Sequence, residues 1–299
     1  MDALDPQRYE VLPILITKEG RWQPKPILPE PGANEGIDVV FPVLHGTFGE
    51  DGTVQGLLDL ADLPYVGAGV LASSVSMDKE VMKRLCREAG LPVVDYVTIW
   101  RENLDPAPVL ARFPFPVFVK PANLGSSVGI TKARYEDELR AALALAAQFD
   151  RKVIVERAVT GREFECSVIG NEVVEASEPC EVFPSKEFYD YEDKYILDKA
   201  QFDLPAKLSM PKMDELRSLA IECYRAVECD GMARVDFLMD GVTNQLFINE
   251  INTIPGFTSI SMYPKMWAHA GLGFAALVDR LIELALARHA TRQATRFER

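Results

Sequence analysis

RVDF (residues 234–237) and INEINT (residues 248–253) flank a turn at residues 240–245, and reading them as one β-hairpin decides the fold. Strand side chains alternate between two faces, so Glu250 and Asn252 share one face, and the turn brings Asp236 across from them. Carboxylates that face each other across strands repel. A hard divalent cation relieves that repulsion. Two carboxylates and an amide suit Mg²⁺, which keeps waters and takes its remaining ligands from a nucleotide's phosphates. The competing reading is a solvated sheet face carrying isolated acids. Val235, Phe237, Phe247, Ile248 and Ile251 make the segment largely apolar, and acids in such company are seldom left unpaired, which favours the metal. A metal held this way points to ATP.

The chain has 299 residues, 48% of them hydrophobic, which is length enough for two or three domains and argues against disorder. Its formal charge of -13, with no basic run, excludes a general binder of nucleic acid or anionic membrane, so the phosphate partner is a small molecule. Five cysteines with no CxxC pair fit a reducing compartment rather than a disulfide framework, and Cys86 and Cys223 fall at helical core spacing. No basic-then-apolar leader opens the sequence, and no apolar run approaches the roughly 20 residues that span a bilayer. A cytoplasmic location is expected.

Working outward from the hairpin, a helix is expected over residues 213–228 and an amphipathic closing helix over 274–289, with a glycine-containing loop at 253–261 between hairpin and closing helix. The middle of the chain alternates a strand at 117–120, a helix at 135–148, a strand at 152–156 and a two-strand passage across 164–176. Residues 183–203, rich in tyrosine and lysine without a sustained period, suit a long functional loop. A helix begins near Asp78, carries Val81, Met82, Leu85, Cys86 and Ala89 on its apolar stripe, and stops at Gly90 ahead of Pro92. Small residues at 67–76 mark a hinge. Before it, the pattern is a strand at 11–17, a buried strand at 37–44 and a short helix at 54–60, a fragment of parallel α/β structure.

Two further segments carry chemistry. In FVKPANLGSSVG (residues 118–129) a strand presents Lys120 and opens into small residues whose backbone N–H groups can meet phosphate oxygens. No GxxxxGK[ST] occurs, so a P-loop is not expected. GSSVG alone reads as a surface loop; the apolar-flanked Lys120 ahead of it raises the functional reading. In KVIVERAVTGREFE (residues 152–165), Glu156 ends a strand and Glu163 follows a turn at Gly161. A strand end of this kind can offer backbone groups to an adenine edge and a carboxylate to ribose hydroxyls.

Taken together, FPVLHGTFGEDGTVQGLL (residues 41–58), MDK (77–79), FVKPANLGSSVG, EFYDYEDKY (187–195), ARVDF (233–237) and INEINTIPGFTSISMYP (248–264) resemble the D-alanine–D-alanine ligases of the ATP-grasp superfamily. The resemblance runs from about Tyr9 to the last helix. It implies an α/β and α+β ATP-grasp fold with an N-terminal α/β domain at 1–67, a central subdomain at 68–160 and a C-terminal subdomain at 161–299. It also implies ATP ligands at Lys79, Lys120, Ser126, Ser127, Glu156, Arg157, Val159, Glu163, Lys194 and Asn249, and two Mg²⁺ or Mn²⁺ ions on Asp236, Glu250 and Asn252. The family's chemistry moves the γ-phosphoryl group of ATP to the carboxylate of one D-alanine, and the amine of a second attacks the acyl phosphate. Arg234 and the Gly256 N–H then stabilise the oxyanion, with Ser126 and Tyr195 beside them. His45 and Glu50 bind the first D-alanine, Ser261 clamps the second, and the tyrosine-rich loop closes against water. Tyr195 is of the dipeptide-forming type.

The family's opening strand, glycine-rich turn and helix have no counterpart here, a deficit of roughly 25–30 residues that makes Met1 a candidate misassigned start and the N-terminal parallel sheet an incomplete one. Family members form homodimers through that domain. The expected function is D-alanyl-D-alanine synthesis. The alternatives are a truncated ligase that binds ATP without turnover and another ATP-grasp carboxylate–amine ligase, and D-alanine-dependent ATP consumption separates them.

Overall fold

The computed structural model describes residues 4–125, 128–183, 201–258 and 261–296. Its N-terminal part is sparse in regular structure. β1 (Leu15–Ile16) pairs with β2 (Trp22–Gln23), and the expected strand at 11–17 is no longer than β1. The expected buried strand at 37–44 reduces to one parallel bridge between Val40 and Tyr65, so the N-terminal parallel sheet is not formed among the described residues. A strand persists only where neighbours take up its N–H and C=O groups. Here Ile37, Val40 and Leu44 instead pack as irregular chain over Val54, Leu58 and Tyr65, around α1 (Thr53–Leu60).

The expected hinge at 67–76 is a helix, α2 (Val70–Met77). Its small residues serve close packing: Ala68 and Ala72 lie in the main core, and Ser73 and Ser76 are buried. Gly67 and Gly231 both have positive φ, which strains any side chain there, and a Cβ on Gly231 would also lie only 3.1–3.2 Å from the Gly67 backbone. Asp78 then caps α3 (Lys79–Glu88), accepting from the Glu80 and Val81 N–H groups at 3.1 Å each. Met82 and Cys86 bury one face of α3, Lys83 joins them in the interior, and Ala89 of the expected stripe is exposed.

A small antiparallel sheet follows, with β3 (Tyr96–Trp100), α4 (Ala107–Leu110), β4 (Val117–Pro121), β5 (Thr131–Ala133), α5 (Glu136–Phe149) and β6 (Lys152–Arg157) in chain order and strand order β3-β6-β4-β5. Leu139, Ala142, Leu143, Ala146 and Ala147 recur at helical spacing and bury α5 against Val117, Val119, Val153 and Val155.

The large sheet contains β7 (Gly161–Gly170), β8 (Val174–Ala176), β9 (Cys180–Phe183), β10 (Gln201–Asp203), β11 (Gly231–Asp240) and β12 (Leu246–Asn252), ordered β10-β9-β7-β11-β12 with β8 on β7. The acidic hairpin is therefore β11–β12. Phe183 and residues 201–203, expected in the tyrosine-rich loop, are paired strand ends; residues 184–200 lie outside the described residues. α6 (Met210–Ala226) covers the back of this sheet, packing Leu216, Ala220, Cys223 and Tyr224 on Phe164, Cys166, Val168, Val235 and Phe237. Alternation leaves Glu163, Glu165, Arg234 and Asp236 on the front. α7 (Met262–His269) and α8 (Phe274–Gln293) close a second core around Tyr263, Trp267, Leu277 and Leu281. From α8, Arg288 donates to the Gly67 and Tyr65 carbonyls and stacks on the Tyr65 ring, tying the last helix to the N-terminal part.

Candidate active site

Three adjacent strands set one acidic row. In the register, Asp236 lies opposite Glu165 on one side and opposite Glu250 on the other, and Arg234 lies opposite Asn252. Directly opposed residues share a face, so Glu165, Asp236, Glu250, Arg234 and Asn252 all belong to the front of the sheet. Arg234 relieves the repulsion with a bidentate pair to Asp236, Nε to Oδ1 at 2.6 Å and Nη2 to Oδ2 at 2.7 Å, and its Nε is 3.5 Å from Glu165 Oε2.

Lysines face this row from across the cleft. Lys79, the first residue of α3, donates from Nζ to the Leu124 carbonyl at 2.5 Å and sits 3.8 Å from Glu250 Oε2. Lys120 on β4 reaches Glu156 Oε2 at 2.6 Å and Asn249 Oδ1 at 3.3 Å. The Asn249 contact depends on a bulge. Pairing passes from Asp236–Glu250 to Phe237–Ile248, so Asn249 has no opposite residue and is turned toward Lys120. Glu156 is fully enclosed, and its other oxygen meets Lys83 Nζ at 2.8 Å. Burial would raise the Glu156 carboxyl, but Lys120 and Lys83 outweigh it and hold the group at about 2. Burial pushes Lys83 down, against the pull of Glu156.

The loop between Leu44 and α1 supplies the third wall. Asp51 shapes it by accepting from the Phe48 N–H at 2.8 Å and the Thr53 N–H at 3.0 Å, and Gln55 donates to the Gly49 carbonyl at 2.9 Å. Glu50 accepts from the Gly46 N–H and titrates at about 7, raised above 4.5 first by burial, with Glu250 raising it further and Gly46, Arg234 and Lys79 opposing. His45 is solvent-accessible, yet its ring is lowered by partial desolvation and then by Arg234, against a hydrogen bond at Ile254. Both residues therefore sense the charge of Arg234.

Glu50 gives a stability signature. The folded protein keeps a proton that the unfolded chain gives up, so Glu50's contribution is present below the unfolded value of 4.5 and lost as pH rises through about 7. In metal-free, nucleotide-free protein, Glu50→Gln is expected to raise Tm by a few degrees more at about pH 8 than at about pH 5. An equal shift at both would show that the carboxyl is not desolvated.

The loop after β12 is anchored by Phe257, whose ring packs edge-on against Phe41 at 5.3 Å and near Tyr263 at 5.9 Å. Asn252 Oδ1 accepts from the Ile254 N–H at 3.1 Å. A Cβ on Gly256 would lie 2.7 Å from Ser261 Oγ, so a side chain there would push the Ser261 hydroxyl from its place. Ser261 Oγ is 2.8 Å from the Thr258 hydroxyl and accepts from the Thr258 N–H at 3.0 Å.

Other expected residues are more peripheral. The Arg157 side chain stacks 4.8 Å over Phe247 and lies 4.0 Å from Asp240, apart from the lysine cluster. Val159 is in the connection between β6 and β7, and Glu163 is on the front of β7, two residues from Glu165. Ser126, Ser127, Lys194 and Tyr195 lie outside the described residues. Sequence reasoning missed Glu165 and Lys83. Alternation in GREFE sets Glu165 on the face of Glu163, and Lys83 is four residues beyond Lys79 on one helical face, so both were reachable.

Among the described residues no group of three His, Cys, Asp or Glu side chains forms a metal cage. The donor set on the front face is two carboxylates and one amide, with Asp236 set against Arg234 and Glu250 near Lys79. That oxygen set fits a hard cation arriving with phosphate oxygens of its own.

Comparison with known proteins gives consistent matches. A family model described as D-ala D-ala ligase C-terminus matches residues 85–283, and one described as D-ala D-ala ligase N-terminus matches residues 25–68. A D-alanine--D-alanine ligase of Solibacter usitatus is 66% identical over 297 residues, covering 99% of this chain and 91% of the relative. D-alanine--D-alanine ligase A of Salmonella typhimurium is 43% identical, covering 98% and 91%. Among solved structures, the VanG D-Ala:D-Ser ligase of Enterococcus faecalis superposes with a TM-score of 0.85 at 34% identity, covering 95% of this chain and 92% of that one. The D-alanine-D-alanine ligase of Coxiella burnetii gives 0.76 at 42%, covering 86% and 70%.

Proposed function

The chain belongs to the D-alanine–D-alanine ligase family, and from that premise we propose how its cleft arranges the reaction. It has the ATP-grasp fold and is an ATP-dependent carboxylate–amine ligase that joins two D-alanines in peptidoglycan precursor synthesis. The observation that carries the arrangement is the facing of Lys79 and Lys120 against the Asp236–Glu250 row, with Lys79 and Glu250 3.8 Å apart. Cations on one wall and paired carboxylates on the other are what a polyphosphate and its counter-ion need.

In this reading Lys79 and Lys120 neutralise the phosphates of ATP, Glu156 and Asn249 hold Lys120 in position, and the connection through Arg157 and Val159 borders the adenine, with Glu163 at the ribose. Ser126, Ser127 and Lys194 complete the nucleotide site. Asp236, Glu250 and Asn252 would hold Mg²⁺ or Mn²⁺, which supplies charge neutralisation at the transferring phosphoryl group. Glu50 and His45 take the ammonium of the first D-alanine, whose carboxylate oxygen attacks the γ-phosphorus and releases ADP. Ser261 takes the carboxylate of the second. Its amine, having lost a proton, attacks the acyl carbon; Arg234 and the Gly256 N–H meet the oxyanion, and phosphate leaves. Closure of the loop bearing Tyr195 excludes water.

We assign the units 1–67, 68–160 and 161–299 to the N-terminal, central and C-terminal parts of this cleft, and the reaction to the cytoplasm. No helix among the described residues is long and apolar enough to cross a membrane.

Phosphate release with Mg·ATP tests the reading when D-alanine is offered alone and then with D-serine or D-lactate as second substrate. Release with D-alanine alone, and D-alanyl-D-alanine as the main product in every mixture, is expected. Release only when D-serine or D-lactate is added would overturn the acceptor assignment.

A further inference from the structure

Arg234 is shared between two carboxylates. Its Nε is 2.6 Å from Asp236 Oδ1 and 3.5 Å from Glu165 Oε2, and Glu165 lies directly opposite Asp236 in the β7–β11 register. Glu165 is only 5% exposed, so it is not a solvated surface acid. On the other side of Asp236 stands Glu250. Arg234 thus sits beside a row of three acids of which the outer two have different neighbours: Glu250 faces Lys79 and the cleft, whereas Glu165 lies inward, next to β9.

This order has a consequence once Asp236 is drawn to a cation. A cation on Asp236 competes with Arg234 for the two oxygens that the bidentate pair now engages, and weakens that pair. A guanidinium that loses its partner in a water-poor site is strongly disfavoured unless another anion stands ready. We propose that Glu165 is a positioning residue that receives Arg234 as Asp236 turns to the metal, keeping the guanidinium fixed for the oxyanion. The proposal rests on the metal assignment made above. It gives Glu165 two effects through one partner: it lowers the cost of releasing Asp236, and it orients Arg234 in the loaded enzyme. Lys79 cannot substitute in this role because it is itself a cation, and Glu250 is engaged on the metal side.

The test is Mn²⁺ binding by electron paramagnetic resonance, using the full chain with a non-hydrolysable ATP analogue. Four proteins form a cycle: the unaltered chain, Glu165→Gln, Arg234→Ala and the double variant. Glu165→Gln is expected to weaken Mn²⁺ about 10-fold, the scale on which groups behind a ligand act. In the Arg234→Ala background the same change is expected to matter by less than about twofold, because the shared partner is gone. Glu165→Asp, which keeps the charge, is expected to recover most of the affinity and guards against a misfolded glutamine variant. Unchanged Mn²⁺ affinity in Glu165→Gln would overturn the proposal. An equal loss in both backgrounds would do so too, since it would mean simple attraction between Glu165 and the ion. Glu250→Ala runs alongside: if that variant binds Mn²⁺ normally, the metal assignment itself has failed, whatever Glu165 does.

Discussion

Arg234→Ala is expected to lower kcat by about 10²–10³-fold, the usual cost of removing a preorganised donor at an oxyanion. Arg234 is central on the front of the large sheet, pinned by Asp236 and within 3.5 Å of Glu165, so the guanidinium is oriented before substrate arrives. Its removal frees Asp236. Metal affinity should therefore stay the same or rise while turnover falls, a combination that general unfolding would not produce. Arg234→Lys keeps the charge but not the planar fork, and should recover only part of the rate. A kcat within about threefold of the unaltered enzyme, which is under 1 kcal/mol of barrier, would remove Arg234 from the chemistry.

Glu250→Ala should be more damaging still, with activity reduced by about 10³-fold or more, since several kcal/mol of charge stabilisation is lost with the metal. Glu250 is the cleaner choice than Asp236 because Asp236 also holds Arg234, and its loss would disturb two functions together. Lys79, 3.8 Å away, would lose this carboxylate, but it keeps its hydrogen bond to the Leu124 carbonyl and so stays in position. Activity that remained near normal and still rose with added Mg²⁺ would contradict the assignment of Glu250 as a ligand.

Much of this site was legible where chemistry follows local periodicity. Asp236, Glu250 and Asn252 were placed together by strand alternation and one turn, and β11 and β12 pair as that reading requires. Lys120 was legible because a lysine closing an apolar strand is rare without a reason. The helices α3, α5, α6 and α8 carried their own apolar spacing. What escaped depended on partners distant in sequence. Periodicity gives the faces of Glu165 and Lys83, but their roles come from β7 lying beside β11 and from Glu156 lying against Lys83. Asn249 is reached by resemblance alone, since alternation sets it on the opposite face from Glu250 and only the bulge turns it toward Lys120.

The N-terminal part differs from its sequence pattern for a related reason. Val40 and its apolar neighbours have strand composition, but a strand is a property of the sheet around it, and the described residues offer a single bridge. By composition the small residues at 67–76 suggest a hinge. From Val70 they form a helix whose lack of bulk lets it settle on the large core, where Ala72 lies, as does Ala68 just ahead of it.

The most direct test of the account follows oxygen. D-alanine labelled with ¹⁸O in its carboxylate is supplied with Mg·ATP, and the released phosphate and dipeptide are weighed by mass spectrometry. If the carboxylate of the first D-alanine attacks the γ-phosphorus and the resulting acyl phosphate is captured by the second amine, each phosphate carries one ¹⁸O and one dipeptide forms per phosphate. Phosphate free of label would mean that water, not D-alanine, receives the phosphoryl group, and the ligase mechanism built on this cleft would be wrong.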